Sequence, residues 1–345
     1  MKSVSVIRWL LVPLFLLAAF PVFAGPPQAV DSCPYYIDEP GKYRLTKDLL
    51  DCIGGVGIIA SDVTLDLKGH TISCAESTAR SGGVWTGIDR NDEFVPVHNV
   101  KITNGTVTGC SDGILLAVAE DSKVTKMTSW GNRLWDDPDT PEIEAMSGTG
   151  ITVWMSHHNV LMHNHVYNNA AHGIGSWDSS DNLFKHNTAV DNGGGFGGSG
   201  FDLTGESNSQ ILCNRVHGNI DGIVLYPSMG LGITSSGNLL RGNLVTDNMY
   251  SGIGMMGFAW DGLYWLDIPT ANTVRSNVVE ANGWFNFYEI YYDLATGAVL
   301  SHPDDTCMNN WVKNQYELPV SGPVACFGEP VTLDDDDVCA LDTKD

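Results

Sequence analysis

The chain has 345 residues and carries 41 acidic against 18 basic side chains, a formal net charge of −23. A field of that sign repels phosphate backbones and anionic lipid, which excludes nucleic acid and membrane surfaces as partners. Residues 1–24 read as a signal peptide: Lys2 and Arg8, an apolar run from Trp9 to Phe20, and "VFA" ending at Ala24, after which cleavage is expected. Removing it takes Lys2 and Arg8 and no acid, so −23 becomes −25. No later stretch is long enough to span a bilayer, so an exported, soluble chain without membrane insertion is expected, periplasmic or extracellular. All eight cysteines lie beyond residue 24, and an even count in an exported chain favours disulfides.

Residues 25–60 read as an N-terminal cap and 61–320 as a repeat. Asparagine recurs in triplets spaced five apart: Asn159, Asn164 and Asn169; then 182, 187 and 192; 238, 243 and 248; 272, 277 and 282. The middle asparagine has an apolar residue three before and two after, as in Leu161/Val166, Phe184/Ala189, Ile211/Val216, Leu240/Val245, Val274/Val279 and Trp311/Tyr316. "LKGHTI" puts His70 in this slot, "ITNGTV" puts Gly105 there, and Met127 gives a weaker copy. The slots are thus 70, 105, 127, 164, 187, 214, 243, 277 and 314.

A second short strand follows most slots: "DGI" at 112–114, "TGI" at 149–151, "HGI" at 172–174, "DGI" at 221–223 and "SGI" at 251–253. The shortest period, 22 residues, holds two or three short strands and leaves no room for a crossover helix. The pattern therefore predicts an all-β solenoid, a single-stranded parallel β-helix of about nine or more coils. Slot amides stacked at the ~4.7–4.9 Å strand spacing would form an internal asparagine ladder. Cys74 and Cys110 follow equivalent positions of adjacent coils and are expected to bridge, with Cys33–Cys52 stapling the cap. Two of Cys307, Cys326 and Cys339 are expected to close the C-terminal end, and Cys213 is expected as a free thiol. Residues 321–345 read as a C-terminal cap with an acidic tail, Asp334 to Asp337.

The segment "GKYRLTKDLLDC…GIIASDVTLDLKGHTISC…NVKITNGTVTGCSDGI" resembles the right-handed parallel β-helix superfamily of pectin-lyase type over about residues 40–320. That superfamily includes pectate and alginate lyases, mannuronan epimerases, glycoside hydrolases, phage tailspikes and NosD-type periplasmic proteins. The resemblance implies a right-handed coil and leaves the chemistry open. Neither the usual polygalacturonase signatures nor the DPH motif typical of mannuronan epimerases is present.

Between 134 and 343 the only cations are Lys185, Arg215, Arg241, Arg275 and Lys313, each within two positions of a slot. Period-two alternation turns positions −2, +1 and +3 outward. Lys185, Arg241 and Arg275 then share one column and Arg215 the next, a basic stripe of roughly 15 Å at ~4.8 Å per strand. His165, Tyr167 and His217 join that face. Cations would neutralise a uronate carboxylate while His or Tyr abstracts the C5 proton and protonates the leaving oxygen. The primary expectation is therefore an exported protein that binds and cleaves or epimerises an acidic polysaccharide, with His165, Tyr167, Lys185, Arg215 and His217 catalytic and Arg241 and Arg275 substrate-binding.

A second face carries a competing set. Thr149, His172, Ser199 and Asp221 form one outward column of the "GI" strands; Trp154, Trp177 and Tyr226 form another, with Asp202 between. An Asp pair with His172, flanked by aromatic platforms, suits a glycoside hydrolase. Insertions at 226–236, 257–270 and 291–307 leave equivalent positions of three successive coils and should build one wall, carrying Trp260 and Trp265. An acidic insertion at 133–148 holds Asp136, Asp137 and Asp139, a weak Ca²⁺ candidate. Met155, His157, His158, Met162, His163 and His165 form a copper-suited ligand set without a fixed spacing, although His163 and His186 also read as neighbouring ladder positions that simply pair. A non-catalytic carbohydrate-binding module, or a NosD-like metal-handling protein, stands as the further alternative.

Overall fold

The computed structural model describes residues 25–75, 82–133, 148–194, 198–228, 231–260, 263–300, 307–321, 324–333 and 339. The signal peptide, the acidic loop with Asp136, Asp137 and Asp139, and Asp334 to Asp337 lie outside the described residues. The repeat folds as an all-β parallel β-helix, and the short helix Val324–Phe327 is the sole helix among the described residues.

Each full coil supplies three strands, for example Leu183–Lys185, Thr188–Val190 and Ser199–Thr204. The strands before and after each slot stack coil on coil into a first sheet, and the "GI" strands stack into a second. Pairing is parallel and in register, Phe184 with Ile211, Ala189 with Val216 and Phe201 with Ile223. Those pairs are fully buried and make the core between the sheets.

The slot asparagines carry the corners. The residue before each slot is left-handed: His163 at φ 57°, His186 at 54°, Cys213 at 59°, Ser276 at 51° and Lys313 at 51°. That conformation costs roughly 1–2 kcal/mol for a residue with a side chain and interrupts the coil-to-coil backbone ladder. The side-chain amide replaces the missing acceptor. Asn187 donates its backbone N–H and its Nδ2 to Asn214 Oδ1 at 2.9 and 3.1 Å, and its second Nδ2 hydrogen to Leu161 O at 2.9 Å. Asn214 repeats this toward Asn243, and Asn243 toward Asn277. Three bonds per slot, each worth about 0.5–1.5 kcal/mol net, offset the corner strain.

Two parallel ladders flank this column. One runs Asn159, Asn182, Ser209, Asn238, Asn272, Asn309 and the other Asn132, Asn169, Asn192, Asn219, Asn248, Asn282, Asn286. Gly105 and Met127 occupy the slot column as expected. His70 stands in register there, but its imidazole turns outward to Asp48 Oδ1 at 3.1 Å.

The bridges Cys33–Cys52 and Cys74–Cys110 are present, and Cys307–Cys326 closes the C-terminal end. Cys213 corrects the expectation: it is bridged to Cys339 with a Cα separation of 5.4 Å. Its left-handed backbone turns the side chain off the core, and the C-terminal segment runs back along the coils, where Val331 N donates to Asn314 O and Leu333 N to Gln315 Oε1. No repeat spacing encodes that return. The described parts of the insertions at 257–270 and 291–307 share one corner: strands Ser251–Trp260 and Phe285–Asp293 stay paired as far as Ala259 with Asp293, and Leu263–Leu266 folds back on the first of them.

Candidate active site

The structure puts the two candidate sets on different faces. On the first sheet, Lys185, Arg241 and Arg275 share one column with Leu212 between Lys185 and Arg241. His165, Thr188, Arg215 and Leu244 form the next, and Tyr167, Val190 and His217 the third. The His165 ring lies 4.8 Å from Tyr167, which stacks on Trp130 at 5.8 Å. The columns are as the spacing predicts, but Leu212, Val190 and Leu244 interrupt them.

On the second sheet the wall of extended strands bounds a cleft of about 560 Å³, lined by Asp202, Thr204, Asp221, Tyr226, Met256 and Phe258 among others. Tyr226 stacks on Phe258 at 5.9 Å. Trp154 and Trp177 pair in adjacent strands of the same face. Trp260 stands exposed at the strand end, paired with Leu263, and the Trp265 side chain lies outside the described residues. Among the described residues no Lys or Arg lines this cleft.

Asp202 is fixed by two donors on Oδ1, Trp177 Nε1 at 2.9 Å and Thr204 Oγ1 at 2.7 Å, while Oδ2 faces His172 Nδ1 at 3.8 Å. His172 Nδ1 accepts the backbone N–H of Ser199 at 3.1 Å, so the neutral ring carries its proton on Nε2. Asp202 and His172 therefore face each other without sharing a hydrogen.

Asp221 sits one strand further along. Burial pushes its carboxyl above the ordinary range, opposed by hydrogen bonds from the Ser251 hydroxyl and backbone and by His172, and reinforced by the charge of Asp202. Ser251 Oγ donates to Asp221 Oδ1, and on the same face Tyr226 and Met256 pack against Tyr288. Burial, reinforced by neighbouring charge, holds both tyrosines well above the usual phenol range, so they work as neutral hydroxyls.

Ser251 and Tyr288 were absent from the sequence-predicted sites. Tyr288 lies directly over Gly254, where an added Cβ would come within 1.8 Å of its ring. A signal existed: Gly254 and Tyr288 each lie eleven residues after a slot asparagine, Asn243 and Asn277. The coil at "FNFYEI" lacks the Gly-Ile marker, which hid the register.

The family model described as periplasmic copper-binding protein (NosD) matches residues 76–316. No curated protein matches the chain. Among solved structures, the Dettilon tailspike protein (gp208) aligns with 86% of this chain and 60% of its own at 14% identity and a TM-score of 0.57. A mutant of the periplasmic alginate epimerase AlgG aligns over 85% and 72% at 16% identity and a TM-score of 0.50. The A-module of Azotobacter vinelandii mannuronan C-5 epimerase AlgE4 aligns over 86% and 80% at 14% identity and a TM-score of 0.47. At these identities the likeness is one of fold.

Proposed function

The chain belongs to the NosD family, and on that footing we propose that it is a polysaccharide-cleaving enzyme that hydrolyses a hydroxyl-rich, neutral glycan in the second-sheet cleft. The observation that carries this reading is the pair Asp202 and Asp221 in one cleft without a cation among its lining residues. Elimination or epimerisation of a uronate needs positive charge to stabilise the developing enolate; hydrolysis needs two carboxylates. Asp221, whose carboxyl burial raises above the ordinary range, gives its proton to the leaving oxygen. Asp202 takes a proton from water as the water oxygen bonds the anomeric carbon. Exchange with solvent then returns a proton to Asp221 and removes one from Asp202.

Copper enters no step. The eight cysteines are all disulfide-bonded, and no group of three His, Cys, Asp or Glu among the described residues converges as ligands. In the His/Met cluster, His157 bonds Ser180 and His163 stacks flat on His186 at 5.2 Å, the pairing expected of neighbouring ladder positions. Nor does any helix among the described residues have the length and apolarity to cross a membrane.

A second reading rests on the stripe: four cations in two adjacent columns suit a polyuronate, with His165, Tyr167 and His217 as acid–base groups. Incubation with neutral glycans and with alginate, reading reducing ends and the absorbance of unsaturated uronates, separates the two. Reducing ends that vanish in Asp202→Asn and Asp221→Asn support hydrolysis. Unsaturated product that vanishes in Arg215→Ala or His165→Ala overturns it in favour of the stripe.

A further inference from the structure

Five strands before Asp221, the same outward face of the second sheet holds another cavity, of about 230 Å³, lined by Tyr36, Trp85, Arg90, Asp92 and Asp112 among others. Its floor is rigid. Trp85 donates Nε1–H to Gly54 O at 3.1 Å and lies across Gly57, where an added Cβ would meet the indole at 2.3 Å. Tyr36 meets Trp85 edge-on at 5.4 Å, and the Arg90 guanidinium covers the Tyr36 ring at 4.4 Å. The wall is an ordered excursion: Ile88 and Phe94 pair antiparallel, and Asp89 Oδ1 accepts the backbone N–H of Asn91 and Glu93 at 2.7 and 3.0 Å.

Aromatic rings connect this cavity to the cleft. Phe94, half exposed, stands edge-on to Trp154 at 5.3 Å. Trp154 pairs with Trp177, and Trp177 donates to Asp202. From the strand of Trp85 to that of Tyr226 is five strand steps, ~24 Å at ~4.8 Å each.

We propose that the cavity of Tyr36, Trp85 and Arg90 is a distal saccharide subsite, and that one polysaccharide chain runs from it past Phe94, Trp154 and Trp177 to the cleft. The proposal rests on the reading that the cleft acts on a polysaccharide. Aromatic faces bind the apolar faces of sugar rings, and Asp92 and Asp112 accept sugar hydroxyls. Among the described lining residues of the two cavities Arg90 is the one cation, against Asp89, Asp92 and Asp112 in the same lining, so the occupant is a neutral glycan rather than a polyanion.

Affinity electrophoresis in gels containing dextran, barley β-glucan, galactomannan, xylan or alginate tests this, with turnover of each glycan measured separately. The full chain should be retarded by at least one neutral glycan. Trp85→Ala and Arg90→Ala should each raise the Kd for that glycan about tenfold or more, while Trp130→Ala on the opposite sheet leaves it unchanged. Arg90 is exposed, so its variant keeps the test open should Trp85→Ala fail to fold. Native affinity in Arg90→Ala and in folded Trp85→Ala overturns the subsite, as does retardation by alginate alone or by none of the five. Retardation that depends on Trp85 without turnover of any glycan sinks the catalytic reading and leaves the subsite standing.

Discussion

Asp221 is the residue on which the proposed chemistry turns. Its carboxyl is raised, first by burial, so it holds a proton at a pH where an exposed aspartate has lost one. As general acid it should make turnover fall as pH rises through that elevated value. Asp221→Asn and Asp202→Asn should each lower kcat by about 10²–10⁴, the range expected for a lost proton-transfer group, with glycan binding largely retained. Steady-state kinetics across pH check both statements, and an unchanged alkaline limb in Asp221→Asn removes Asp221 from the role. The same shift bears on stability. Glu206, buried in a serine column and accepting from Ser176, Ser209 and Asn182, is also raised, chiefly by burial. A native state that binds more protons than the unfolded chain loses stability as pH rises from the unfolded carboxyl value through the folded one. Denaturant melts should therefore show these two carboxyls opposing folding increasingly from acid toward neutral pH. Asp202, Asp221 and His172 were legible in the sequence because each stands in a countable column. Ser251, also in a countable column, became a site residue only through the contact with Asp221, and Tyr288 through a register that its own coil does not announce.

The asparagine ladder is the element that sets the corners. In Asn214→Leu, Asn187 loses the acceptor for its N–H and Nδ2, and Phe184 O loses its donor. Buried groups left unpaired should cost about 1–3 kcal/mol, readable as a lowered denaturation midpoint, and a melt identical to the native chain would remove the ladder's energetic role. The second-sheet strands carry a different constraint. Gly254→Ala would drive a methyl into the Tyr288 ring, so it should displace Tyr288 and lower stability, readable as a lowered denaturation midpoint. An equally stable Gly254→Ala would show that the close approach of Tyr288 to this strand is dispensable.

Across the whole molecule, the Cys213–Cys339 bridge ties the C-terminal segment to a coil 126 residues earlier. A disulfide typically stabilises by about 2–4 kcal/mol, and more as the closed loop lengthens. Thiol titration of the denatured, unreduced protein should find no free cysteine, and Cys213→Ser should expose one thiol, Cys339, and lower the unfolding midpoint. A free Cys213 in native protein would refute the pairing. The bridges also accord with export to an oxidising compartment. The global acidity bears on substrate choice. A neutral glycan in the cleft should bind with little salt dependence, whereas a polyuronate on the stripe should weaken steeply, since exposed pairs are screened over ~10 Å at 0.1 M salt. Titrations of both ligand classes at low and high salt distinguish the two faces.

The repeat by itself determined the coil, the ladder and the outward columns, because a parallel solenoid copies one local rule at every step and neighbours in space are neighbours in register. Lys185, Arg241 and Arg275 in one column, and His172 and Asp221 in another, follow from counting. Tertiary structure decided what counting cannot reach. The extended strands Ser251–Trp260 and Phe285–Asp293 wall the second sheet, where Tyr288 is buried and Asp221 and Tyr226 are half-buried, whereas the stripe residues stand in columns interrupted by Leu212 and Val190. Burial raises the Asp221 carboxyl, and there it is completed by strands that leave the repeat. The return of the C-terminal segment to Cys213 has the same origin: it is a single event, with no second copy in the sequence to reveal it.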